Sequence, residues 1–285
     1  MQDKILDGKG TAEAIKAELS DEIKRLENAA GVTPGLAVVL VGEDPASQVY
    51  VNMKEKACKA LGIVSRKHLL PVDAPEEELL SVVDGLNADK EIDGILVQLP
   101  LPGHIDENKV LDRIKVEKDV DGFHPVSVGR LVLGQTGFRA ATPAGIIELL
   151  KRSKVDIQGR EAVVVGRSNI VGKPVALLLL NENATVTIAH SRTQNLSQVT
   201  RRADILVVSA GRKEMITADM VKEDAVVVDV GIHRTEHGLV GDVAFNEVRE
   251  KASAITPVPG GVGPMTIAML MSNTVKAARN RAESA

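Results

Sequence analysis

The spacing of hydrophobic and polar positions changes period several times along the chain, and the changes mark out its elements. Residues 11–29 place apolar side chains three and four apart, which predicts a helix with Thr11 as its cap and Gly31 and Pro34 closing it. The unbroken apolar run Leu36–Val41 predicts a buried strand. A helix over 46–61 follows, with Asp44 suited to its N-cap and Pro45 to its first turn. Ile63–Leu70 reads as a strand, Glu76 to Leu86 as a helix and Gly94–Val97 as a third strand. Strands and helices alternating at this spacing predict a parallel sheet with right-handed crossovers. Residues 116–142 read as irregular, punctuated by Gly122, Pro125, Gly129, Gly134 and Gly137. A helix from Thr142-Pro143 to about Arg152 then opens a second series. Its parts are a strand from Glu161, a glycine turn, a helix through Leu180, and strands at Thr185–Ala189, Ile205–Ser209 and Ala225–Asp229. A last helix runs from about Pro264 to about Arg281. The two halves share a layout without a residue-level repeat.

Length and composition narrow this picture. At 285 residues the chain exceeds what one core usually serves, so two domains are expected. With one tyrosine, no tryptophan and three phenylalanines, the cores must be built from Val, Leu, Ile, Ala and Met. A net charge of −4 without a long basic run disfavours nucleic acid and anionic membrane as partners. The first residues lack the apolar stretch of a signal peptide, and no apolar run approaches the ~20 residues of a membrane span, so a cytoplasmic address is expected. Cys58, the single cysteine, excludes an internal disulfide and a cysteine-rich metal site, and reads as a small buried hydrophobe.

Several stretches could carry chemistry. Tyr50, Lys54 and Cys58 fall four apart on one face of the 46–61 helix. Taken alone, Lys54 reads as a solvated lysine with an apolar stem, and Tyr50 as a half-buried packing residue. Gln98 stands at the carboxyl end of a predicted strand, where parallel sheets bind ligands, or else simply caps that strand. The polar cluster Lys118-Asp119-Val120-Asp121-Gly122-Phe123-His124 has an ordinary reading as a turn closed by Asx side chains. In the second series, Glu161 to Pro174 runs strand, glycine turn, helix, the arrangement that seats a pyrophosphate on a helix N-terminus. Its fingerprint is imperfect: Gly166 holds the first glycine position, Ser168 the second and Val171 the third, with Gly172 one place late. The next strand ends in His190-Ser191-Arg192-Thr193, without the acid that usually holds the ribose of NAD ~20 residues past the glycines. Arg167, Arg192 and Ser191 suit a 2′-phosphate, so NADP is the expected cofactor. The glycine-rich loop from Thr256 to Thr266 is either a linker or a place where backbone N–H groups approach a ligand.

Five collinear pieces give the chain a resemblance to the bifunctional methylenetetrahydrofolate dehydrogenase/methenyltetrahydrofolate cyclohydrolase family over essentially its whole length. They are Val41 to Ser47 with Tyr50 and Lys54, Asp93 to Pro100, Lys118 to Phe123, Gly166 to Pro174, and Pro257 to Thr266. The resemblance implies two α/β domains with parallel sheets and a cleft between them, the second domain being Rossmann-like. The folate-binding catalytic domain would comprise 1–140, with the helix 264–285 packing back on it, and the NADP-binding domain 141–263. It implies Lys54 as the general acid/base, Tyr50 stacking on the aminobenzoate ring, Gln98 as the lysine's hydrogen-bond partner and Asp121 holding the pterin. Val97, Leu99, Pro259, Gly260 and Gly261 would complete the contacts to the tetrahydrofolate substrate. Gly166, Arg167, Ser168, Ser191 and Ile232 would hold NADP; no metal is implied. A homodimer formed through the nucleotide domains and cis bonds at Leu99-Pro100 and Val258-Pro259 are implied as well. Two departures from the family stand out: Ala140-Ala141, where it often has Pro-Cys, and His233, where asparagine is common. Both bear on the cofactor pocket or hinge rather than on the acid/base.

Two rivals deserve comparison. Short-chain dehydrogenases also carry Tyr-x-x-x-Lys, but there the glycine loop precedes the pair, whereas here Lys54 precedes Gly166. A non-catalytic NADP-binding regulator would need only the second series, and would have no use for Tyr50, Lys54, Gln98 and Asp121 together.

Overall fold

The computed structural model describes residues 4–284, apart from the side chain of Ala46. The chain divides into two compact units. The first joins Ala14–Ala141 to the segment from Ile267 onward, and the second joins the residues up to Glu13 to Thr142–Thr266.

Helix α1 (Gly8–Ala30) belongs to the first unit from Ala14 on, and that unit continues through β1 (Gly35–Val41), α2 (Pro45–Leu61), β2 (Val64–Leu70), α3 (Glu76–Ala88) and β3 (Gly94–Val97). Two short helices follow, α4 (Glu107–Arg113) and α5 (Pro125–Val132). The three strands form a parallel sheet ordered β2-β1-β3, so β1 is central and every one of its residues is buried. That burial is why β1 reads as an unbroken apolar run, while edge strand β2 mixes exposed and half-buried positions. Leu79, Val83, Leu86, Val110 and Ile114 from α3 and the α4 region pack with Val39, Ile95 and Val97 into one core.

Two expectations change here. Helix α1 starts at Gly8 rather than near Thr11, because the Asp7 carboxylate accepts the Gly10 N–H at 2.9 Å and caps it. Thr11 lies inside the first turn, its hydroxyl donating to the Asp7 carbonyl at 2.7 Å. Within the stretch read as irregular, α5 forms because Pro125 sits in its first turn and His124 Nδ1 accepts from the Val126 N–H at 3.1 Å.

The second unit runs through α6 (Ala141–Arg152), β4 (Glu161–Val165), α7 (Gly172–Asn181), β5 (Thr185–Ala189), α8 (Leu196–Thr200), β6 (Ile205–Val208) and β7 (Val226–Asp229). A hairpin of β8 (His233–Thr235) and β9 (Gly238–Val240), helix α9 (Phe245–Lys251) and β10 (Ala254–Ile255) complete it. Its five-stranded parallel sheet is ordered β10-β7-β6-β4-β5. The winding direction therefore reverses at β4, which has β5 on one side and β6 on the other. Doubly wound sheets bind ligands beyond the carboxyl ends of the strands at such a switch point.

Helix α10 (Val262–Glu283) closes the chain, and from Ile267 onward it belongs to the first unit. Its anchors there are specific. Asn273 Nδ2 donates to the carbonyls of Val120 (2.8 Å) and Arg139 (2.9 Å). Arg281 grips the buried Asp93 carboxylate through Nε (2.6 Å) and Nη2 (3.1 Å), and Asp93 also accepts the Gly35 N–H. Cys58 is fully buried against Met271, and burial pushes its thiol up to about 12, which removes it from nucleophilic chemistry.

Candidate active site

The first unit gathers Lys54, Gln98 and Asp121. Asp44 accepts the Ser47 N–H at 2.8 Å and Pro45 fills the first turn, so α2 starts where its local chemistry dictates. Val51, Lys54, Ala57, Cys58 and Leu61 then form its buried face. Lys54 is thus an ammonium on the apolar side of a helix, 9% exposed. Its Nζ donates to Gln98 Oε1 at 3.0 Å. Gln98 is fixed in turn: its N–H continues the β-ladder to the Val39 carbonyl, and its Nε2 donates to the Leu99 carbonyl at 2.8 Å. The Leu99–Pro100 bond just beyond is cis. Val97 is core, whereas Leu99 is partly exposed.

Asp121 supplies the opposing charge. Within its polar cluster the three charged residues divide the work. Lys118 Nζ donates to the Leu86 and Asp89 carbonyls at 2.9 and 2.6 Å. Asp119 is buried and accepts the Phe123 and His124 N–H groups at 3.1 and 3.0 Å, as an Asx turn does. The turn tightens at Gly122, where φ is +72° and a Cβ would lie 2.6 Å from Ala140 N. Asp121 keeps a small accessible surface while protein surrounds its carboxylate, and burial raises its pKa to about 6. Lys54 opposes that rise and Asp119 adds to it. Burial lowers the Lys54 pKa below the ordinary lysine value, and the Asp121 charge works against the drop. A lysine and a carboxylate are thereby both drawn toward neutral pH, the condition that suits proton exchange with a substrate. One turn before Lys54, Tyr50 is 38% exposed, flanked by the exposed Val49 and Met53, leaving an aromatic face open to a planar ligand.

The second unit carries the glycine turn. Gly166 leaves β4 with φ of +135°, and a Cβ on it would lie 2.4 Å from the Ser209 carbonyl beyond β6. Gly172 opens α7, and a Cβ on it would lie 2.3 Å from the Gly166 carbonyl. The glycine that stands one place late is therefore the one that lets helix and strand close together. Ser168 Oγ accepts the N–H groups of Val171 and Gly172, each at 3.2 Å, and Arg167 and Ser168 are exposed at this turn. At the end of neighbouring β5, Thr193 Oγ1 accepts the His190 N–H and His190 Nδ1 accepts the Arg192 N–H. Ser191 and Arg192 are exposed in that turn. A helix start packed closely on a glycine turn, beside a turn offering hydroxyl and guanidinium but no acid, fits a dinucleotide with an extra phosphate. Pro259, Gly260 and Gly261 also belong to this unit: Val258–Pro259 is cis, Gly260 has φ of +106°, and the Gly261 N–H donates to the Pro257 carbonyl.

One supporting network escaped the reading of the sequence. Asp229 accepts the N–H groups of Gly231, Asp242 and Val243 at 2.9 to 3.0 Å, and burial raises its pKa to about 6. Asp242 accepts the N–H groups of Ala210 (2.6 Å) and Gly211 (2.9 Å) and contacts His233 Nε2 at 2.7 Å. The loops after β6 and β7 are tied together by these two carboxylates, with exposed Ile232 held between Gly231 and His233. The partners are mostly main-chain amides, so no side-chain pattern announces them.

The fold and these two sets of residues define a two-unit α/β enzyme that pairs a buried lysine site with a dinucleotide-binding module. The chain belongs to the tetrahydrofolate dehydrogenase/cyclohydrolase family: the family's catalytic domain matches residues 6–121 and its NAD(P)-binding domain residues 140–282. A bifunctional protein FolD from Moorella thermoacetica is 59% identical over 280 residues, covering 98% of this chain and all of that one. The crystal structure of the bifunctional FolD enzyme of Campylobacter jejuni matches with a TM-score of 0.95 and 52% identity, over 97% of this chain and 99% of that one. The Trypanosoma brucei enzyme, solved in complex with NADP and an inhibitor, matches with a TM-score of 0.93 and 41% identity over 97% of each chain.

The packing at the glycine turn makes one substitution decisive. In Gly172→Ala the new methyl meets a main-chain carbonyl that cannot move without opening β4 from α7. Dinucleotide affinity should fall at least about tenfold, the effect of losing one charge-assisted contact. Fluorescence titration with NADPH checks this; unchanged affinity would mean that the turn does not hold the cofactor.

Proposed function

We infer that this chain oxidises 5,10-methylenetetrahydrofolate to the 5,10-methenyl compound with NADP⁺ and hydrolyses that product to 10-formyltetrahydrofolate. The observation that carries the reading is Lys54: a buried ammonium held by Gln98 Oε1 at 3.0 Å and faced by Asp121, in a chain of this family. The residues up to 140, with helix 264–285, form the folate-binding domain in this reading, and residues 141–263 bind NADP.

Each residue has a physical task. The exposed Tyr50 ring stacks on the aminobenzoate of the folate, and Asp121, with its raised pKa, hydrogen-bonds the pterin. Val97, Leu99, Pro259, Gly260 and Gly261 complete the substrate contacts. Gly166, Arg167, Ser168, Ser191 and Ile232 hold the dinucleotide, with Arg167 and Ser191 on its 2′-phosphate. NADP⁺, when bound, accepts the hydride. The chain's part in that step is to hold two rings in register and to shield them from water, which demands positioning more than proton transfer.

Hydrolysis is different. Water adds to the cationic methenyl carbon and must lose a proton, and the nitrogen that leaves as the C–N bond breaks must gain one. Burial pulls the lysine pKa down and so favours its neutral amine, which can accept the first proton and return the second. Gln98 holds its Nζ in place and Asp121 limits how far the pKa falls.

The assembly in this reading is a homodimer joined through the nucleotide-binding domains. Supporting it, β5 is an edge strand of the second sheet, and Ile188 on it is 42% exposed, with Leu180 at the end of α7 55% exposed. The working compartment is the cytoplasm; among the described residues no helix is long and apolar enough to cross a membrane.

Two substitutions test the assignment. Lys54→Met keeps much of the apolar stem, so it should leave NADP⁺ affinity unchanged while slowing methenyl hydrolysis by roughly 10²–10⁴-fold. Dehydrogenation should fall less, and the methenyl compound should accumulate during turnover. Wild-type hydrolysis of added methenyltetrahydrofolate by Lys54→Met would contradict the mechanism. For the cofactor, Arg167→Ala should weaken NADP⁺ far more than NAD⁺, because only NADP⁺ carries the 2′-phosphate; equal losses in KM would contradict that role.

A further inference from the structure

The first unit has a second concave feature, at the amino-terminal end of β3 and so at the opposite end of that strand from Gln98. It is a cavity of about 670 Å³, within the range of small-ligand sites. The end of α3, the segment before α5, the loop after α5 and the last turns of α10 enclose it. Six cations line it, Lys90, Lys115, Lys118, Arg130, Lys276 and Arg281, against three acids, in a chain whose net charge is −4.

The acids do not neutralise this wall. Asp93 is engaged by Arg281, and Asp89 is engaged by Arg66, which lies outside the cavity. The remaining acid is Glu117, which is exposed. Lys276 Nζ donates to the Gly137 carbonyl at 2.9 Å and stands 5.6 Å from the centre of the Phe138 ring, and Lys118 Nζ donates to the Leu86 and Asp89 carbonyls at the end of α3. Among the described residues neither lysine is within ion-pair distance of a carboxylate, nor is Arg130. Arg130 and Arg139 converge on Gly137, where a Cβ would come 3.1 Å from Arg130 Cδ and 3.4 Å from Arg139 Nη1. Burial lowers the pKa of Lys118, Lys276 and Arg139, and Arg139 and Arg279 lower that of Lys276 further. The Asp89 and Asp93 charges oppose the fall at Lys118, but six cations against three acids still leave the roomy space with an excess of positive charge.

We propose that this cavity binds a compact polyanion, a small molecule carrying two or more phosphate groups. Phosphate fits better than carboxylate because its oxygens take donors from several directions, as scattered lysine and arginine heads supply them. A carboxylate prefers a single planar fork, and the one fork here, Arg281, already holds Asp93. Nothing in the lysine site or the glycine turn is needed for this binding.

Calorimetric titration of inorganic pyrophosphate into the protein saturated with NADP⁺ tests the proposal, because the cofactor then fills the glycine turn. One site per chain is expected. Arg130→Gln and Lys276→Gln should each weaken it about tenfold, the usual effect of losing one charge-assisted contact. Arg130 is exposed and makes no ion pair among the described residues, so Arg130→Gln should fold normally and keep its dehydrogenase activity. Parallel titrations with ATP and with citrate distinguish sources: ATP binding with the same dependence on Arg130 supports a nucleotide ligand. No heat from pyrophosphate or ATP, unchanged affinity in Arg130→Gln, or citrate binding as tightly as pyrophosphate would overturn the proposal.

Discussion

The burial of one ammonium group organises the first unit. Taking a charge out of water costs several kcal/mol even after relaxation, and a lysine on the apolar face of α2 incurs that cost unless partners offset it. Gln98 and Asp121 are those partners, and neither would be in place without the sheet and turn behind it. Gln98 is held because its main chain extends the ladder between β1 and β3. Asp121 is held because Asp119 closes the turn in front of it, Gly122 lets the chain double back, and Asn273 of α10 takes the Val120 carbonyl. The partners reduce the penalty without cancelling it, which leaves the lysine below its ordinary pKa and the aspartate above its own. Stability is thereby exchanged for a lysine and a carboxylate whose pKa values are drawn toward each other.

In the second unit the governing constraint is close approach of backbones. Gly166 and Gly172 are required by a carbonyl that occupies the place of each missing Cβ, and that contact brings the start of α7 to the carboxyl end of β4. The sheet order then places this turn where the winding reverses. Asp229 and Asp242 stiffen the neighbouring loops through main-chain amides, and His233 Nε2 contacts Asp242.

What could be read from the sequence follows from how local its causes are. The start of α2 was legible because Asp44 and Pro45 act within one turn, and β1 because burial on both faces leaves no polar position. Helix α5 was not, since its eight residues contain a glycine and it is held by the buried Ser127 and Leu131 and a histidine cap. The Asp119-Val120-Asp121 pair shows the limit at the site: the plain Asx reading holds for Asp119, while Asp121, two residues on, faces Lys54. Gly172 read as a flaw in the fingerprint, because only the three-dimensional contact with Gly166 shows which glycine does the packing. The roles of Lys54 and Gln98 came from resemblance; composition and spacing alone pointed to a solvated lysine and left Gln98 between a strand cap and a ligand contact.

The central claim is that Lys54 is a desolvated lysine whose charge is sustained by Asp121. NMR titration of selectively labelled lysine, assigned through Lys54→Met, measures this directly. The account predicts a Lys54 pKa below the ordinary value of 10.5 in the wild type. It predicts a further decrease in Asp121→Asn, because removing the carboxylate removes the charge that favours the ammonium. A wild-type Lys54 titrating at the ordinary lysine value, or one whose pKa rises in Asp121→Asn, would contradict it.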